Sequence, residues 1–129
     1  MALFLIAFPW LMAGAAAAVP SNRIRPWLLP LTGSAHAALT AVLLLRPSAV
    51  AGSPWFVLDP LGRLILLVIS TLFLFCAFYA VGYLRARAER PNRAFCACMS
   101  GFLGVASLAA WSHHLGLLWV AIEATTLVT

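Results

Sequence analysis

Long apolar stretches alternate along this chain with short polar segments that carry arginine. Uncharged runs cover Ala2 to Val19, Leu28 to Leu45, Leu64 to Leu84 and Ala94 to Trp111, and the chain turns apolar again from Leu115 to Thr129. A bilayer core of about 30 Å asks for roughly 20 apolar residues at ~1.5 Å each. The first four runs therefore predict four complete transmembrane helices. The fifth, over residues 115–129, reaches only ~22 Å as helix and predicts the start of a fifth span, one that is cut short or ends inside the membrane. The expected fold is an all-α membrane protein, with residues 1–129 forming a single transmembrane helical segment.

Local signals sharpen two boundaries. Asp59 followed by Pro60 reads as an N-cap with proline at the first helical position, so the third helix is expected to begin there. The first run, followed by alanine-rich sequence, also resembles a secretory leader with a small-residue cleavage site. No Arg or Lys precedes it and three more spans follow, so an ordinary first helix is the preferred reading. The connection from Arg46 to Arg63 holds Pro47, Pro54 and Pro60, and places Trp55 and Phe56 where an aromatic interface belt belongs.

Arginine placement sets the orientation. Arg23 and Arg25 follow the first run, and Arg85, Arg87, Arg90 and Arg93 follow the third; the opposite side has only Arg46 and Arg63, with His113 and His114 after the fourth run. Positive residues stay in the cytoplasm, so the amino terminus is expected outside. Topology explains the cluster without a ligand, and lipid headgroup or partner-protein binding is the less favoured reading.

Composition excludes other classes. Apolar residues make up 64% and charged residues 9%, against roughly 45–50% and about 25% in ordinary soluble domains. That balance rules out disorder, a disulfide-stapled secreted domain and a cytosolic enzyme. The formal charge of +5 rests on arginine alone, and those arginines sit between apolar runs rather than on a nucleic-acid-binding surface.

Ionisable groups at membrane depth cost at least ~2.5–3.5 kcal/mol, which makes each a functional candidate. Glu123 is the ninth residue from Leu115 and His36 the ninth from Leu28, so both are expected ~12 Å along their helices, near the midplane. Glu123 shares a helical face with Gly116, Trp119 and Thr126, and a cation on another helix could modulate it. The alternative is a neutral carboxyl hydrogen-bonded for packing. His36 lies between Thr32 and Thr40 on one polar stripe, which fits a hydrated path and a packed histidine equally. His113 and His114 project about 100° apart and make a poor chelator; interfacial polarity is the plainer account, with a proton relay through His113 or His114 left open.

No metal site is expected. Cys96 and Cys98 point to nearly opposite faces and Cys76 belongs to another helix. The two stand among Ala97, Ser100, Gly101, Gly104 and Ser107, a small-residue surface suited to close helix packing. No phosphate-binding glycine loop and no nucleophile–base set appears, so no self-contained active site is predicted.

From Ser112-His113-His114-Leu115-Gly116-Leu117-Leu118-Trp119-Val120-Ala121-Ile122-Glu123-Ala124-Thr125-Thr126-Leu127, the chain resembles the approach to the fifth transmembrane helix of the antiporter-like subunits. These occur in respiratory complex I, membrane-bound nickel-iron hydrogenases and multisubunit cation/proton antiporters, and the hydrogenase-4 branch is the nearest in kind. Phe56-Val57-Leu58-Asp59-Pro60-Leu61-Gly62-Arg63 and Tyr79-Ala80-Val81-Gly82-Tyr83-Leu84 likewise resemble the start and end of that family's third helix.

The resemblance implies a proton-translocating subunit, or the amino-terminal portion of one, in the cell (inner) membrane. It would sit among other membrane subunits of a larger oxidoreductase, with redox cofactors held elsewhere. Glu123 matches a family glutamate that pairs with a lysine on a later helix. Family members have many more helices, and this chain has no lysine, so the cationic partner would lie outside it. Glu123, His36 and His113 form the expected proton pathway. Two rival readings stand beside it: a small haem-binding membrane cytochrome with His36 and His113 or His114 as axial ligands, and a membrane scaffold without chemistry.

Overall fold

A computed structural model describes residues 2–46 and 55–129. Within them the chain forms five α-helices: α1 (Ala2–Ala18), α2 (Leu28–Leu45), α3 (Pro60–Ala86), α4 (Arg93–Trp111) and α5 (Leu115–Val128). A single 3-10 turn over Arg25–Trp27 leads into α2. The described residues contain no strand, although an isolated antiparallel bridge joins Phe56 to Ser112. Pro47 and Pro54, assigned above to the second connection, lie outside the described residues.

Among the described residues three helices are long and apolar enough to cross a membrane: α2 with its leading turn (21 residues), α3 (27) and α4 (19). At 17 residues α1 is shorter, ~25 Å. It stops at Ala18 because Pro20 disfavours helical backbone at Val19. Helix α5, with 14 residues, is shorter again.

The start of α3 lies where the Asp59-Pro60 signal puts it. The Asp59 carboxylate accepts from the Gly62 N–H at 2.6 Å, and Pro60 fills the first helical position. Hydrophobicity alone begins four residues later, at Leu64, because the first turn is polar and capped rather than apolar. His114 caps α5 similarly, its Nδ1 accepting from the Gly116 N–H at 3.2 Å.

Helix pairing does not follow chain order. The closest associations are α1 with α4, α2 with α3, and α5 with α4. The α1–α4 contact depends on glycine: a Cβ at Gly104 would stand 2.7 Å from Trp10 Cδ1 and 3.2 Å from the Ile6 carbonyl oxygen. Without that side chain the two helices approach closely, the small-residue packing that apolar surroundings favour. At Gly33 a Cβ would similarly press on Phe73, at 3.1 Å, and on the Leu74 backbone.

The two ends of the bundle are tied by polar contacts. At one, Arg25 is 3% exposed, although its place in the arginine pattern reads as a solvated topology signal. Its guanidinium donates to Asn22 Oδ1 at 2.8 Å, to Asn92 Oδ1 at 2.6 Å and, through Nε at 3.1 Å and Nη2, to the Val19 carbonyl. Asn92 in turn donates to the Asn22 carbonyl at 2.9 Å. The α1–α2 and α3–α4 connections are thereby fastened together. At the other end, the Val57 N–H donates to the Trp111 carbonyl and the His113 N–H to the Trp55 carbonyl, both at 3.2 Å. Trp55 is exposed and its ring lies 5.3 Å from that of His114.

The apolar interior is divided into two clusters. Ala16, Leu29, Phe73, Ala77, Ala80, Leu84, Cys96 and Leu103 pack towards the Arg25 end. Leu5, Leu43, Leu58, Leu66, Ala110 and Trp111 pack towards the opposite end. Between them, along α2, α3 and α4, comes a layer of polar side chains.

Candidate functional site

The polar layer is centred on His36, near mid-length of α2 and fully buried together with Thr32 and Thr40. All three lie at four-residue spacing, so one face of α2 turns them inward. Two other helices answer the ring. Its Nδ1 lies 2.8 Å from Ser70 Oγ of α3, and its Nε2 lies 2.9 Å from Ser107 Oγ of α4. Thr40 Oγ1 adds a contact of 3.1 Å to Ser70 Oγ. Three helices thus meet at one imidazole.

The count of available protons defines what this centre can do. Ser70 is placed to donate to the Leu66 carbonyl at 2.7 Å, and Ser107 to the Leu103 carbonyl at 2.7 Å. If both hydroxyl protons go to their own helices, both ring nitrogens must donate, which describes an imidazolium. A neutral ring instead needs one serine to turn its proton towards the ring nitrogen that lacks one. Ser70 is also held by Thr40, so Ser107 is the hydroxyl with fewer constraints on turning. Rotation of one O–H therefore lets the centre accommodate either one ring proton or two without displacing a heavy atom, the second proton being delivered or removed by a donor or acceptor outside the centre. No carboxylate of the described residues contacts the ring, so a proton taken up there has no counter-charge in this interior.

Two buried polar atoms flank the centre along α4. Ser100 Oγ and Trp111 Nε1 have no hydrogen-bond partner among the described residues. Ser100 precedes Ser107 by two helical turns and Trp111 follows it by about one, so both share its side of the helix. A buried donor without a partner costs about 1–3 kcal/mol, and such atoms commonly mark water positions. They stand on opposite sides of His36, one beside each apolar cluster.

The remaining expected pathway residues are elsewhere. Glu123 lies on the exposed side of α5, with Gly116, Trp119 and Thr126 exposed alongside it, while Ala121 is the buried residue that seats α5. The face grouping read from the sequence holds, but it points away from the bundle. Thr126 donates to the Glu123 backbone carbonyl at 2.6 Å rather than to its side chain, and no described residue pairs with the carboxylate. His113 is exposed in the α4–α5 connection. Neither residue is brought to His36.

No family model, curated protein or solved structure matches the chain. Axial ligation by His36 requires a free ring nitrogen, and both are taken by hydroxyls packed inside the bundle. The described residues contain no cluster of metal-ligating side chains; Cys96 is buried in α4 while Cys76 and Cys98 are exposed.

Ser70 and Ser107 are site residues that the sequence does not single out. Ser107 reads as one of the small packing residues of α4, and Ser70 is hidden within the most apolar run. A usable signal exists for Ser107, since Ser100 and Ser107 stand seven residues apart and so on one face.

Proposed function

We propose that this chain is a proton-translocating, antiporter-like membrane subunit, or the amino-terminal portion of one. It would belong to a larger NADH-quinone oxidoreductase or membrane-bound hydrogenase complex of the cell (inner) membrane. Its orientation would put the amino terminus outside and the Arg25 end in the cytoplasm, with α1 to α4 as complete spans and α5 as the start of a fifth. The observation that carries the proton-handling part is the buried His36 centre, where rotation of the Ser107 hydroxyl lets the ring hold one proton or two as a proton arrives from or leaves to a neighbouring water. The orphaned Ser100 and Trp111 atoms support it, because water there would link the centre to either end.

Glu123 has a separate role in this reading. A carboxyl on the outer face of an apolar helix meets lipid unless another membrane protein covers it, and its cost in lipid argues for such a cover. The partner would bring a cation, whose approach and withdrawal would alter the protonation of Glu123. The family resemblance around Trp119 and Glu123 supports the same arrangement.

The scaffold reading retains one observation in its favour: His36 and Glu123 are not in contact, and apolar clusters bound the histidine layer on both sides. Proton pumping by the assembled complex separates the two. Glu123→Gln and His36→Leu should each lower the proton-to-electron ratio while leaving assembly and electron transfer intact. Undiminished pumping in both variants would leave only the scaffold.

A further inference from the structure

At the Arg25 end, Arg23 from the α1–α2 connection, Arg85 from the last turn of α3 and Ala88 line one cleft of about 240 Å³. The arginines at this end do not have equal roles. Arg25 is consumed by the Asn22, Asn92 and Val19 oxygens, and Arg87 lies over the Tyr83 ring at 5.1 Å. Arg23 and Arg85 are exposed and engage no carboxylate among the described residues. Two guanidinium groups converging on one cavity repel each other until an anion lies between them, and planar forks of this kind match phosphate oxygens.

The surroundings identify the source of that phosphate. Arg85 Cζ stands 5.9 Å from the Trp27 ring centroid, which restrains the guanidinium over an indole. Trp27, more than half exposed, thus presents apolar surface next to the Arg85 side of the cleft. An exposed Trp at the end of an apolar helix sits at headgroup level. A free phosphate has no use for an apolar surface beside its site, whereas a phospholipid lays its glycerol and first methylenes against one. Glu89 is the acidic group nearest in sequence; it is exposed and makes no ion pair with either arginine, so the local balance stays positive.

We infer that the Arg23–Arg85 cleft, with the exposed Trp27 ring beside Arg85, is a binding site for the phosphate of an anionic phospholipid. Each arginine near an anionic surface contributes enough that loss of both should weaken binding roughly thirty-fold.

The full chain in detergent provides the test, with phosphatidylglycerol retention read by native mass spectrometry against phosphatidylcholine and inorganic phosphate. Preferential retention of phosphatidylglycerol is expected, lost in the Arg23→Ala/Arg85→Ala pair. It should be unchanged in Arg46→Ala/Arg63→Ala, which removes the same charge at the opposite end. Equal retention of phosphatidylcholine, binding of inorganic phosphate as tight as that of the lipid, or equal loss in both pairs overturns the assignment. A photoactivatable phosphatidylglycerol on the unmodified chain gives a second reading that needs no variant to fold. Labels should fall on residues 23–27 and 85–88, and labelling confined to other segments overturns it as well.

Discussion

Removing a hydroxyl beside His36 should harm the protein more than removing the histidine itself. Ser107→Ala takes away the partner of Nε2 and leaves a buried ring nitrogen unanswered, 2.9 Å from where the hydroxyl stood. The cost of such a group is about 1–3 kcal/mol. His36→Leu fills a similar volume with an apolar side chain, and both serines keep their bonds of 2.7 Å to Leu66 and Leu103. No polar atom is orphaned, so the loss should stay below about 1.5 kcal/mol. Once the ring is gone, Ser107→Ala removes only a hydroxyl that was bonded within its own helix. The sensitive measurement is therefore the double-mutant cycle, read from reversible unfolding of the full chain in mixed micelles. Ser107→Ala should be costly in the parent and nearly neutral beside His36→Leu, a coupling of about 1–3 kcal/mol. Equal cost in both backgrounds would refute the hydrogen-bond assignment and with it the rotating-hydroxyl account.

Two further substitutions examine the packing around the site. Gly104→Ala places a methyl 2.7 Å from Trp10, and should lower stability by about 1–3 kcal/mol through forced separation of α1 and α4. Trp10→Ala should relieve part of this in the same unfolding assay, the Ile6 carbonyl remaining an obstacle. Asn92→Ala removes the 2.6 Å acceptor of buried Arg25 and should cost about 1.5–3 kcal/mol, as befits a hydrogen bond to a charged group. Faster proteolysis within the 19–25 and 87–92 connections should accompany it.

The sequence discloses what depends on a single helix. Asp59 and Pro60 mark the start of α3 because capping is a local transaction between neighbours in the chain. The inward stripe of Thr32, His36 and Thr40 and the shared face of Glu123 and Trp119 follow from helical periodicity. Contacts between helices are not legible. Every face of α3 is apolar, so nothing in it announces that Ser70 meets His36. The direction in which the Glu123 face points is equally hidden, since an apolar solvent removes the contrast that turns hydrophobic faces inward in water. Arg25 escapes for a related reason: charge pattern counts arginines by segment, whereas its burial depends on Asn92 arriving from a distant connection. The apolar run overshoots the end of α1 by one residue, because it continues to Val19 while Pro20 already dictates the backbone.

The pairing of α1 with α4 affects how the protein is made. At roughly 5–20 residues per second, the ribosome needs several seconds to supply the ~90 residues between the end of the first helix and the end of its main partner. During that interval the Trp10 side of α1 has no Gly104 to lie against. The apolar first helix must be sheltered by a provisional neighbour or another apolar surface until the fourth arrives. Assembly of this bundle is thus timed by translation, and a stall between α3 and α4 would strand the first helix with its binding groove unmade.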